Sequence, residues 1–138
     1  MFRRLFSTVL LVPALLVPAL VAPAPAGAAE PEAWVATIRT VEGRFRAVIT
    51  DPAMVELARA ELAGEGDAGV PFGPLAWGSG GVNHGHRWHI TDLQFADFTI
   101  ELCDGTARMV DRDPRYWIET VGSFCPWSGE VVKLKPLR

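Results

Sequence analysis

The stretch Asn83-His84-Gly85-His86-Arg87-Trp88-His89-Ile90 holds all three histidines of the chain. Imidazole is the commonest metal ligand and the side chain whose charge changes nearest neutral pH. The cluster therefore raises two chemistries, metal binding and acid–base work. If 84–90 is extended, its period of two puts His84, His86 and Trp88 on one face and His89 on the other. Only the pair His84-x-His86 could then meet one ion, with a third ligand supplied from elsewhere. Asp92, Glu101 and Asp104 are the acids nearest in sequence. The plainer reading packs His86 beside Trp88 and leaves His84 in a solvated turn next to Gly85. No metal and no cofactor is expected.

Nucleophilic chemistry has less support. Beyond the leader the serines are Ser79, Ser123 and Ser128, and none lies in a G-x-S-x-G elbow. Asp111 and Asp113 read as a solvated helix end rather than an acid–base pair. The glycine-rich run 64–85 has no G-x-G-x-x-G between a strand and a helix, so no phosphate loop is expected.

These residues need elements to position them. Phe45, Ala47 and Ile49 alternate with Arg44, Arg46 and Val48, the period of a half-buried strand. Residues 34–41 form a second strand or an extension of the first, bent near Gly43. Asp51 can cap a helix whose first residue is Pro52, and Gly64 stops it. Met54, Ala58 and Leu62 give that helix its apolar stripe, beside Val55. Two short extended pieces, 70–72 and 75–77, are expected within the glycine-rich run. Residues 86–103 read as two antiparallel strands, with Phe98, Ile100 and Leu102 alternating against Thr99, Glu101 and Cys103. A short helix follows over 106 to about 111 and is broken by Pro114. A last strand covers 130–134.

The chain begins with a leader. Arg3 and Arg4 precede an apolar stretch, 5–21, and Ala26-Gly27-Ala28 supplies the small residues a signal peptidase reads. Cleavage after Ala28 leaves one domain, 29–138, secreted and with no membrane attachment. It removes two arginines and no acid, so 11 Lys+Arg face 16 Asp+Glu, a net charge of −5 against −3 for the whole chain. That balance argues against nucleic acid as partner, which needs a basic face. The two cysteines, Cys103 and Cys125, most simply form one disulfide in an oxidising compartment. Such a bond contributes roughly 3 kcal/mol by restricting the unfolded chain. Five tryptophans exceed ordinary use, and Trp77 and Trp127, beside glycine, proline and serine, are the surface candidates.

The segments Glu101-Leu102-Cys103-Asp104 and Cys125-Pro126-Trp127 resemble the amino-terminal domain family of the calmodulin-binding proteins of social amoebae, a module that also occurs alone as a secreted bacterial or fungal protein. Asp51-Pro52, Asn83 and Trp88-His89 match the same pattern. The resemblance runs from about 45 to 128. His86 stands where the family has an aromatic residue, and Val82 where it has a tyrosine. The resemblance implies a compact α+β domain with one disulfide, in which Asp51, Pro52, Trp88, His89, Glu101 and Asp104 are structural.

The expectation is an α+β single domain, an antiparallel sheet with one main helix and one disulfide. It serves as a secreted, non-catalytic binding module for an extracellular protein or carbohydrate, with inhibition of an extracellular hydrolase as one form of that function. Trp77, Asn83, His86 and Trp127 are its candidate contact residues. The rival readings are a small metal-dependent hydrolase using His84 and His86, and an envelope-associated structural module.

Overall fold

A computed structural model describes residues 32–138. The expected signal segment, 1–28, lies outside the described residues. Strand β1 (Trp34–Arg39) and strand β2 (Arg44–Ile49) form an antiparallel hairpin, in register from Trp34 opposite Ile49 to Arg39 opposite Arg44. The turn closes through the Thr40 N–H, which donates to Gly43 O at 3.0 Å, and Gly43 supplies the positive φ of 97°. Strand β7 (Glu130–Pro136) pairs antiparallel with the other edge of β1, giving the order β2-β1-β7. Ala36, Ile38, Phe45, Ala47, Ile49 and Val131 point into the core. The alternate residues point out.

Helix α1 (Pro52–Ala63) begins and ends where its caps dictate. Asp51 Oδ1 accepts from the Ala53 N–H at 2.8 Å, and Gly64 takes the left-handed conformation at φ 71°. Its buried face is not the expected stripe. Val55 and Ala58 are buried, with Met54 packed against the core, but Leu62 is exposed. Steps of four overshoot a 3.6-residue turn by about 40° each, so Leu62 has rotated off the line of Met54. Half-buried Glu61 lies nearer that line instead, and its Oε1 accepts from the Val131 N–H of β7 at 2.9 Å.

The second sheet is built on strand β3 (Val70–Trp77), with β4 (Trp88–Ile90), β5 (Gln94–Ala96) and β6 (Ser123–Phe124) paired antiparallel to it. Residues 70–77 are thus one strand, not two pieces joined by turns. Gly73 makes this possible, because a Cβ there would lie 2.5 Å from Asp92 O and would collide with Ile90 Cγ2. The chain between β4 and β5 closes over that gap, and the Thr91 N–H donates to Pro74 O at 3.0 Å.

Two further expectations are corrected. Residues 86 and 87 lie outside the strand they are expected to open, while His84 sits in the turn of the plainer reading, beside Gly85 at φ 95°. Residues 98–103 are not a strand either: 98–100 run free and Glu101–Cys103 is a single 3-10 turn. That turn delivers Cys103 to Cys125, with the two Cα atoms 5.1 Å apart in the expected disulfide. Phe98, Ile100 and Leu102 are left exposed, with Phe98 84% accessible.

The short helices α2 (Ala107–Arg112) and α3 (Pro114–Tyr116) lead through a wider turn, Trp117–Val121, into β6. Thr106 caps the first and Asp113 the second, on either side of the break at Pro114. Where the sheets meet, Phe45, Trp88, Trp117 and Phe124 pack with ring centroids 5.4–5.7 Å apart. The architecture is α+β with antiparallel sheets and one disulfide, as expected, though the strands form two sheets rather than one. Among the described residues no helix is long and apolar enough to cross a membrane.

Candidate functional site

The 83–90 stretch runs along the outer edge of β2. An edge strand exposes unpaired N–H and C=O groups, and here they are capped one by one. Asn83 Oδ1 accepts from the Arg46 N–H at 2.8 Å, His86 Nε2 lies 3.0 Å from Arg44 O, and the Leu93 N–H donates to Val48 O at 2.8 Å. Asn83 Nδ2 also donates to Trp88 O at 2.9 Å, which ties β2 to β4. Asn83 is 1% exposed and both ends of its amide are engaged. It positions strands and offers nothing to a ligand.

His86 has a similar fate. Its Nδ1 lies 2.7 Å from Asp111 Oδ1, the oxygen that also accepts from Trp88 Nε1 at 2.7 Å. Both ring nitrogens therefore face oxygen acceptors within the protein, and neither presents a lone pair to a metal ion. Its ring packs on Trp88, centroids 5.1 Å apart. His89 Nδ1 donates to Gly78 O at 3.0 Å, and its ring covers Gly80, where a Cβ would collide with His89 Cδ2. Among the described residues no group of three or more His, Cys, Asp or Glu could hold a metal. Asp111, read from sequence as a solvated helix end, is the residue that joins His86 to the core tryptophan.

The remaining named residues fall into two groups. Asp104 Oδ1 accepts from the Trp127 N–H at 2.8 Å, and Trp127 Nε1 donates to Thr99 Oγ1 at 2.8 Å, so the disulfide region is laced together around Trp127. Glu101 is exposed at the start of its turn, and its carbonyl accepts from the Asp104 N–H at 3.0 Å. Trp77 and Trp127 are half-exposed, at 47% and 50%. Trp77, Asn83 and His86 do not form one cleft. Asn83 and His86 line an open depression of about 550 Å³ with His84, and Trp77 is not among its lining residues.

That depression is the feature the sequence reading missed. Its floor is the outward side of β1, Val35 and Thr37, with Arg44 and Arg46 of β2 on one flank and Lys133 and Lys135 of β7 on the other. Thr37 stands opposite both Arg46 and Lys133 in register. His84, His86 and Val82 also line it, and no lining residue is acidic. Among the described residues no ion pair engages Arg44, Arg46, Lys133 or Lys135, whereas Arg39 at the far end of β1 is paired with Glu130. A second depression, beside Trp127, carries the opposite balance, with Glu61, Asp67, Asp97 and Glu130 against Arg39. Burial holds the Glu61 carboxyl above the usual range, although the hydrogen bond from Val131 pulls it the other way.

Arg44-x-Arg46 and Lys133-x-Lys135 each repeat with the strand period, which puts either pair on one face. That much is in the sequence. Their meeting across β1 depends on strand order and register, which are not.

The family model for the N-terminal domain of a calmodulin-binding protein of Dictyostelium matches residues 31–138. No curated protein and no solved structure matches this chain.

Proposed function

The chain belongs to this N-terminal domain family of the Dictyostelium calmodulin-binding protein, and from that premise we propose that it is a secreted, non-catalytic binding module. It holds an anionic extracellular partner, protein or carbohydrate, on the outer face of the β2-β1-β7 sheet. The observation that carries the proposal is a set of four cations, Arg44, Arg46, Lys133 and Lys135, flanking one depression in a chain of net charge −3. Among the described residues none of the four has an ion-pair partner. Segregating charge in this way raises the local potential well above what the net charge implies and steers oppositely charged partners to the face. The side chains that looked able to do chemistry support a non-catalytic role, because Asn83, His86 and His89 are spent on strand edges and loop anchors. The test is retention of the secreted protein on a sulfonate matrix at pH 7. Binding that elutes with salt is expected despite the negative net charge; passage straight through would contradict the proposal.

A second reading, inhibition of an extracellular hydrolase, rests on the segment 98–102. Phe98, Ile100 and Leu102 stand exposed there, beside the disulfide and the Trp127–Thr99 hydrogen bond. Exposed apolar side chains grouped in this way mark protein contacts. Assays of secreted endopeptidases with the pure domain test it: inhibition weakened by Phe98→Ala supports this reading, and unchanged activity across the panel removes it.

A further inference from the structure

We infer that the anionic partner is a linear acidic polysaccharide lying along β1 between the arginine and lysine flanks. This inference rests on the proposed cationic face and adds the class of ligand. The face is a trough. Two strand spacings separate β2 from β7, about 10 Å, and successive outward residues on one strand stand about 7 Å apart. Arg46 and Lys133 therefore face each other across Thr37, with Arg44 displaced towards Arg39 and Lys135 towards Val35, a staggered row too extended for one compact anion to satisfy. A chain with charges at intervals meets both flanks as it runs along the trough. Its hydroxyls find polar partners there as well, Thr37 on the floor and His84 among the lining residues.

Other linear polyanions fit less well. A single nucleic-acid strand is held by stacking its bases on aromatic side chains. The aromatic residue lining this trough, apart from the histidines, is Phe45, which is 1% exposed with its ring in the core cluster. A duplex is read by an element that enters a groove, and this face is concave, with three strands and no helix. An acidic peptide that docks by adding a strand needs a free sheet edge. The β2 edge is already closed by Asn83, His86 and Leu93. What is left is recognition by charged side chains and hydroxyl groups, which suits a carboxylated or sulfated glycan.

The experiment is calorimetric titration of the full secreted protein with four probes at low salt: polygalacturonate, galacturonate monomer, oligothymidylate and polyglutamate. Polygalacturonate is expected to bind, with affinity that falls steeply as salt rises, and at least about tenfold more tightly per site than the monomer. Lys133→Gln with Lys135→Gln should weaken it about tenfold without lowering the melting temperature, since both side chains are exposed. Thr37→Val should weaken it a few-fold and leave the salt dependence unchanged, a signature of lost hydroxyl contact rather than lost charge. Equal or tighter binding of oligothymidylate or polyglutamate would overturn the glycan assignment while leaving the cationic face standing. Binding of none of the polymers would overturn both.

Discussion

His86 and Asn83 show how far a residue type can mislead without its neighbours. Both looked able to meet a ligand, and both are occupied: Asn83 bridges Arg46 N and Trp88 O, and His86 spans Asp111 and Arg44 O. Asn83→Ala would strip the partners from a backbone donor and a backbone acceptor in a buried place. The expected cost is about 1–3 kcal/mol in denaturant unfolding, with polyanion binding kept wherever the protein is folded. Lost binding at unchanged stability would instead make Asn83 a contact residue. Glu61 makes a prediction in pH. Its folded carboxyl titrates above the ordinary value, so between the two values the native state holds more protons than the unfolded one. Stability is then fully present in acid and falls as pH rises through that window. Glu61→Gln keeps an acceptor for the Val131 N–H and abolishes that fall. The variant should match the parent in acid and exceed it at neutral pH, as read from denaturant midpoints. A variant less stable at every pH would refute the burial argument.

At the scale of elements, legibility followed locality. Helix α1 was readable because Asp51, Pro52 and Gly64 act on their own backbone, and the Cys103–Cys125 pairing needed only two cysteines and an oxidising compartment. The continuity of β3 was not readable, since Gly73 looks like a turn until the close approach of Ile90 and Asp92 gives it a reason. The alternation at 98–102 looked like a strand because period two says nothing about whether a pairing partner exists. Locality also shapes what the disulfide does. It closes a loop of sequence separation 22, and by the chain-entropy account its loss costs about 3 kcal/mol. Cys103→Ser with Cys125→Ser should lower the melting temperature clearly, as calorimetry can show. An unchanged melting temperature would mean that the Trp127 contacts to Thr99 and Asp104 hold this region unaided.

At the scale of the molecule, net charge proved a poor guide to the surface. An acidic total argues against nucleic acid as partner, yet the fold sorts its charges, with Arg44, Arg46, Lys133 and Lys135 around one depression and four carboxylates around the other. No sum over the sequence reports such sorting; it appears once β7 is known to lie beside β1. The most direct test of the account is charge reversal on that face. Arg46→Glu with Lys133→Glu places one carboxylate on each side of Thr37, at two exposed side chains, and leaves the Arg46 backbone N–H free to keep its bond to Asn83. Binding to dextran sulfate, followed against salt, should be abolished while the melting temperature stays with that of the parent. Unchanged binding by the folded double variant would contradict the account.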